Sequence, residues 1–428
     1  MSTANIVILL SIVVAVALGY KLKINIGLFA IAFAFLLGCF LTGFSPSKVM
    51  EQWPLKLFFQ MFTVTFFYAF AQQNGTLELI ARNLVYSVRK IPWLIPIVVW
   101  LVTAVLAGIG PGSVAMFLCL APLIMQITKE TGCHPALGAV ILVTGASGGA
   151  WSPIAVNGIT TAALIEQAGY TAEQAAVYGL AVWRNLLTVC AILFVICYFL
   201  FRGFRAKPSN MEKPEPFNRK QLTTMALILV MLLIIVIPNI LKGVTGNAAI
   251  GAFADKLDIT FLAVILSIVG IILKIGDEKK ALAGVPWHTI LMMCGVGMLI
   301  GVASEAGALE YLSTYIGQNF DPAMVPFAIC LVAGVMSFFS STMGVVLPAL
   351  YPLVFAICSL SGANPVILFS VIPIAACLTG ISPVSLAGGL ALANTEESKR
   401  NRMFFTLFLC AAGFLICVLL ATASHIIH

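Results

Sequence analysis

Apolar residues run along this chain in blocks of about twenty, the length that crosses a bilayer core, and short polar or charged clusters separate them. Read against those clusters, the blocks predict membrane helices near 4–20, 24–44, 57–73, 92–108, 111–128, 134–151 and 175–201. A second set follows near 221–241, 258–275, 287–304, 322–338, 343–357, 365–381 and 402–424. Two stretches differ: 75–90 and 307–317 set apolar residues at helical spacing with charges opposite, which predicts helices lying flat at the interface. The segment 202–220 is basic, polar and proline-bearing, and reads as a linker. The expected class is an all-α integral membrane protein.

The two sets are related. Pro122, Pro135 and Pro153 recur as Pro352, Pro365 and Pro383 at a constant offset of 230, as do Gly132, Ser152 and Gly158 as Gly362, Ser382 and Gly388. Between 120–158 and 350–388, ten of 39 positions are identical. The chain therefore reads as a duplicated unit. The first repeat spans 1–203, with a hairpin at 92–130 and a broken helix at 134–167. A cytoplasmic linker follows over 204–220. The second repeat spans 221–428, with a hairpin at 322–357 and a broken helix at 365–395. If each hairpin turns inside the membrane, each half crosses five times and the second half is inverted. An outside N-terminus then puts 18 of the 23 Lys and Arg on the cytoplasmic side and five outside, as the positive-inside rule requires. Both termini become extracytoplasmic, and a bacterial cytoplasmic (inner) membrane is the expected location.

Composition removes other classes. Of 428 residues 61% are hydrophobic and 9% charged, against about 25% charged in a soluble domain, so a soluble enzyme or a nucleic-acid binder is excluded. The net charge of +7 is the loop bias just described. Four scattered histidines and eleven cysteines without a C-x-x-C pair give no metal site and no nucleophile–base pair. No cofactor is expected. Glu78, Glu166, Glu305 and Glu310, near predicted span ends, read as solvated caps, with proton relay as the alternative.

The chemistry is expected at four interruptions. Two are hairpin tips, Gly108-Ile-Gly-Pro-Gly-Ser113 and Phe338-Phe-Ser-Ser-Thr-Met-Gly344, and two are helix breaks, 148–158 and 379–389. Glycine and proline unwind backbone that a membrane tolerates only where protein or water satisfies it. Exposed helix N-termini carry partial positive charge, and exposed carbonyls can hold a cation. The expected substrate-binding residues are Ser113, Ser152, Pro153 and Asn157 in the first half and Ser341, Thr342, Ser382, Pro383 and Ser385 in the second. The expected cation-binding residues are Gly110, Gly112, Gly149, Ser340, Ser341 and Thr379. Between Ala281 and Ser398 there is no Lys or Arg. A bound anion there must be met by helix ends, hydroxyls and a co-bound cation, which implies cation-coupled symport.

The run from Tyr68-Ala-Phe-Ala-Gln-Gln-Asn-Gly-Thr to Gly145-Ala-Ser-Gly-Gly-Ala-Trp-Ser-Pro-Ile resembles the MatC-type malonate and dicarboxylate carriers. These belong to the ion-transporter superfamily that includes the divalent anion/sodium symporters. The resemblance covers most of 5–200, and the second half follows by the repeat. In the symporters, each tip carries a Ser-Asn-Thr motif that binds sodium and carboxylate. Ser340-Ser-Thr342 is close to it; Gly110-Pro-Gly-Ser113 departs from it. The resemblance implies a small dicarboxylate such as malonate or succinate and sodium as coupling ion, with the proton as alternative and a homodimer possible. The rival readings are the large membrane subunit of a tripartite carrier, a carrier of another small anion, and a channel.

Overall fold

The computed structural model describes residues 3–424 and 427, apart from 210, 246, 255, 309–322 and 340. Among the described residues every regular element is helical. The first half contains α1 (Thr3–Leu22), α2 (Ile26–Phe40), α3 (Pro46–Glu51), α4 (Leu55–Gln73), α5 (Thr76–Ser87), α6 (Ile95–Gly108), α7 (Gly112–Glu130), α8 (Pro135–Ala150), α9 (Val156–Gln167) and α10 (Ala172–Leu200). The second contains α11 (Arg219–Thr245), α12 (Ala248–Ala254), α13 (Ile259–Ile272), α14 (Glu278–Gly284), α15 (Trp287–Glu305), α16 (Val325–Phe339), a π-turn (Thr342–Val346), α17 (Leu347–Ser361), α18 (Pro365–Thr379), α19 (Leu386–Ala393) and α20 (Glu397–Ala423).

The predicted spans are present within a few residues. Three short helices, α3, α12 and α14, are additions that the pattern of apolar blocks does not predict. They are six or seven residues long, too short to write a helical period. Side-chain caps start two of them: Ser45 accepts from the Lys48 N–H and Asp277 from that of Lys280. The interfacial helix of the first half is α5, with Glu78 and Arg82 paired at 2.9 Å across one turn. Most of its predicted twin, 307–317, lies outside the described residues. From α6 onward the element order recurs 230 positions later: hairpin, broken helix, long helix. In each hairpin a shorter arm, α6 or α16 with 14 or 15 residues, precedes a longer one, α7 or the π-turn continued by α17. At 1.5 Å per residue the shorter arm is about 21–23 Å long, against a hydrocarbon core of about 30 Å.

The chain groups into two compact units, each drawing on both sequence halves. Unit A is Met1–Phe58, Asn157–Leu193 and Trp287–His428; unit B is Phe59–Val156 and Phe194–Pro286. In unit A, α2 packs on α15 around a core of Ala30, Ala34, Met292, Val296 and Leu299. Glu166 takes both oxygens to Lys56 Nζ at 2.8 and 2.6 Å, and Glu305 pairs with Lys48 at 3.1 Å. These glutamates are thus ion-paired at the ends of helices. Glu310 is outside the described residues.

In unit B, hydrogen bonds collect four of the basic loops at one end. The Ser209 N–H donates to Arg89 O at 3.3 Å and the Lys207 N–H to Thr131 O at 2.8 Å. Ser209 Oγ donates to Glu130 at 2.9 Å, and Asn74 Nδ2 reaches Ile275 O at 3.3 Å. The linker is therefore tied down, and it walls a cavity of about 710 Å³ with α5 and the end of α7. Because 81–90, 129, 202–220 and 274–280 are brought to this end of unit B, they are expected on one side of the membrane. A reporter fused after Lys213 is expected to read cytoplasmic; a reading from outside overturns the orientation of all four loops together.

Candidate binding site at the hairpin tips and helix breaks

In unit B the tip is the turn 109–111 between α6 and α7. Pro111 cannot donate, and Gly110 sits at φ 153° with the Tyr68 ring occupying the space a Cβ would need. A helix end leaves its last carbonyls without intrahelical partners, and here each finds one. Ser152 Oγ donates to Gly108 O, Tyr68 OH to Ile109 O, and the Val156 N–H to Gly110 O at 3.0 Å. Tip and break are thereby bonded to each other. Gly149 lets α8 touch α6 backbone to backbone: a Cβ there would overlap the Ala104 carbonyl. Ser113 and Ser152 are buried, and Pro153 is exposed. Gly112, at φ 77°, is buried at the start of α7. Asn157, also buried, opens the next stretch of unit A.

In unit A the tip precedes the π-turn. Ser341 caps that turn, its Oγ accepting the Gly344 N–H at 3.2 Å. Ser337, fully buried in the last turn of α16, donates to Ala376 O on α18 at 2.6 Å and lies 3.2 Å from Thr342 Oγ1. A hydroxyl has one proton. That of Ser337 is committed to Ala376, so Thr342 is the donor in their contact, and its outward lone pairs are acceptors. Ser341, by contrast, accepts from backbone and keeps its proton to donate. Ser341 is exposed and Thr342 partly so, whereas the equivalent stretch of unit B, 110–112, is closed.

At the second break, Ser385 Oγ donates to Gly380 O and caps α19 through the Gly388 N–H at 3.4 Å. Ser382 and Thr379 are fully buried, Thr379 bonding back to Ala375 O at 2.8 Å, and Pro383 is buried. Within unit A the structure thus links Thr342 to the helix carrying Thr379, through Ser337. Within unit B it links the 108–110 carbonyls to Ser152. Ser340 is outside the described residues. Ser337 gives no signal in the sequence, and Tyr68 only opens the run that carries the family resemblance; the bonding role of each is recognisable only by its position relative to a tip.

Helices of this length and apolarity, paired in hairpins and broken in the middle, define a multi-span membrane protein. Residues 1–150 match the family model for the dicarboxylate carrier protein MatC N-terminus, and residues 250–427 match that for the citrate transporter family. Both are families of carriers, so the chain is a membrane transporter and not an enzyme. The resemblance to MatC-type carriers is borne out over residues 1–150. A search of curated proteins finds no matching sequence. Among solved structures, the crystal structure of the Alcanivorax borkumensis YdaH transporter aligns over 86% of each chain with a TM-score of 0.54 and 13% identity. At that identity the likeness speaks for the fold.

Proposed function

We propose that the chain is a secondary active carrier that takes up a small dicarboxylate such as malonate or succinate with a cation, by alternating access. The carrying observation is the opposite hydrogen-bond polarity of Ser341 and Thr342 at a tip whose surroundings in the sequence, 281–398, contain no Lys or Arg. Ser341 offers a proton to a carboxylate; Thr342 offers oxygen to a cation. Charge neutralisation falls to the cation and to the N-terminus of the following helix. At the other tip, three carbonyls already accept donors of the protein, which favours a cation site at 341–342 over one at 110–112. Sodium fits a site of hydroxyl and carbonyl oxygens; the proton is the alternative. The model matched by 250–427 describes citrate transporters, so citrate belongs in the substrate panel.

The test is reconstitution of the purified chain alone into vesicles, with imposed sodium or proton gradients and labelled malonate, succinate and citrate. Gradient-driven accumulation supports the carrier. Uptake that requires an added binding protein means a tripartite subunit, and flux without accumulation means a channel.

The hairpins are proposed to be re-entrant, with 1–203 and 221–428 as inverted repeats. Cysteines introduced at Ile109 and Ser341 are expected to react with an impermeant maleimide from opposite sides of the membrane. The parent chain supplies the background, to which Cys133 adds little: burial pushes its thiol up, outweighing the lowering by its Thr131 hydrogen bond. Labelling of both positions from one side overturns the inverted arrangement.

A further inference from the structure

Trp151 closes the C-terminal end of α8, one residue before the Ser152-Pro153 break, and is 1% exposed. Its indole Nε1–H is buried and has no hydrogen-bond partner among the described residues. An indole is a donor only. Unlike a buried threonine, it cannot turn to a carbonyl one helical turn back, so the bond must come from elsewhere. The same unit shows the ordinary solution at Trp100, whose Nε1 donates to Thr144 Oγ1 at 2.9 Å. Buried donors are satisfied in the large majority of cases, and an exception calls for an explanation.

None of the carbonyls exposed at the adjacent tip receives the indole proton. Gly108, Ile109 and Gly110 carbonyls accept from Ser152, Tyr68 and Val156. The repeat gives a comparison within the chain: position 151 corresponds to Ile381, which fills the same place without a donor. A broken helix of this design therefore does not need an indole for packing. The first half also lacks the tip hydroxyls of the second, since 110–112 is Gly-Pro-Gly where 340–342 is Ser-Ser-Thr.

We infer that the Trp151 Nε1–H is a substrate contact, donating to a carboxylate oxygen of the transported anion and standing in for the hydroxyls the first tip lacks. This rests on the carrier reading above. The indole adds a directed donor without adding charge, so the anion is held by a bond that release can break.

The test compares the full-length wild type with Trp151→Phe, which keeps an aromatic ring and removes the N–H. Thermal midpoints are read with and without malonate, succinate and citrate, because ligands that bind the folded state raise them. The substrate-free midpoint of the variant is expected to fall modestly, because the smaller ring leaves a cavity at a fully buried position, so affinities are compared at a temperature where both proteins are folded. The variant's substrate affinity is expected to fall roughly ten- to a hundredfold. A second measurement uses wild type alone: among the six indole N–H resonances of 15N-tryptophan-labelled protein, one is expected to move downfield on adding the anion. Unchanged affinity in the variant, or six unmoved resonances at saturating ligand, overturns the assignment and leaves a buried water as the partner. A wild type that responds to none of the three anions overturns the carrier reading, and this assignment with it.

Discussion

Thr342→Val is expected to lower the apparent affinity for the coupling cation by roughly ten- to a hundredfold, the value of an interaction with a charged group. The substitution keeps the side-chain shape and removes the oxygen whose lone pairs face outward. Ser337 retains its bond to Ala376 O at 2.6 Å, so the anchoring of α16 to α18 survives and the melting temperature should move little. Because the two ligands are coupled, substrate affinity should fall with cation affinity by linkage. Thr342→Ser should restore both. Uptake measured across a range of sodium concentrations decides: a half-saturation unchanged from wild type places the cation elsewhere. Ser341→Ala is a less clean probe, since it also removes the cap on the Gly344 N–H, a loss of about 1 kcal/mol in its own right.

Gly149→Ala is expected to have the larger effect on folding. Overpacking a well-filled interior usually costs about 1–3 kcal/mol because side chains can shift. Here the added methyl would meet the Ala104 carbonyl, which is backbone in the middle of α6, so the two helices must move apart. We expect most of the protein to aggregate on solubilisation, measured as loss of the monodisperse peak in size-exclusion chromatography. Gly413→Ala is the control: it lies in α20 with nothing within 4 Å of the added carbon, and should gain up to about 1 kcal/mol from better helix propensity. Equal yields of the two variants would contradict the close approach of α6 and α8.

The tips near Pro111 and Ser341 were legible because Gly, Pro and Ser clustered inside an apolar run interrupt both the helix and its hydrophobic face. The amphipathic α5 was legible for a similar reason, its charges falling on one side of a regular period. Tyr68, Trp151 and Ser337 were not. A single polar atom on a mostly apolar side chain does not disturb a hydrophobic pattern, so its role depends on which carbonyl lies nearby, and that is set by contacts between distant segments. The glutamates were legible only as helix-end residues. Pairing of Glu166 with Lys56, 110 positions away, cannot be read from spacing. The alignment of the two halves sets Trp151 against Ile381, but an aromatic side chain facing an aliphatic one does not show that its N–H lacks a partner.

The interleaving of the two units has a consequence for the order in which the protein can be made. Unit B is complete once Pro286 has been synthesised. The partner of α2, by contrast, is α15, which begins at Trp287, so the N-terminal pair α1 and α2 must stay in the bilayer without its main packing surface while about 250 residues are added. At 5–20 residues per second this is a wait on the order of 10–50 s. The helix backbones satisfy their own hydrogen bonds in lipid throughout, so the early pair is insertable before it is packed. Chain halves expressed separately as 1–203 and 221–428 would each lack segments of both units, and neither unit can close until the second half has joined the first.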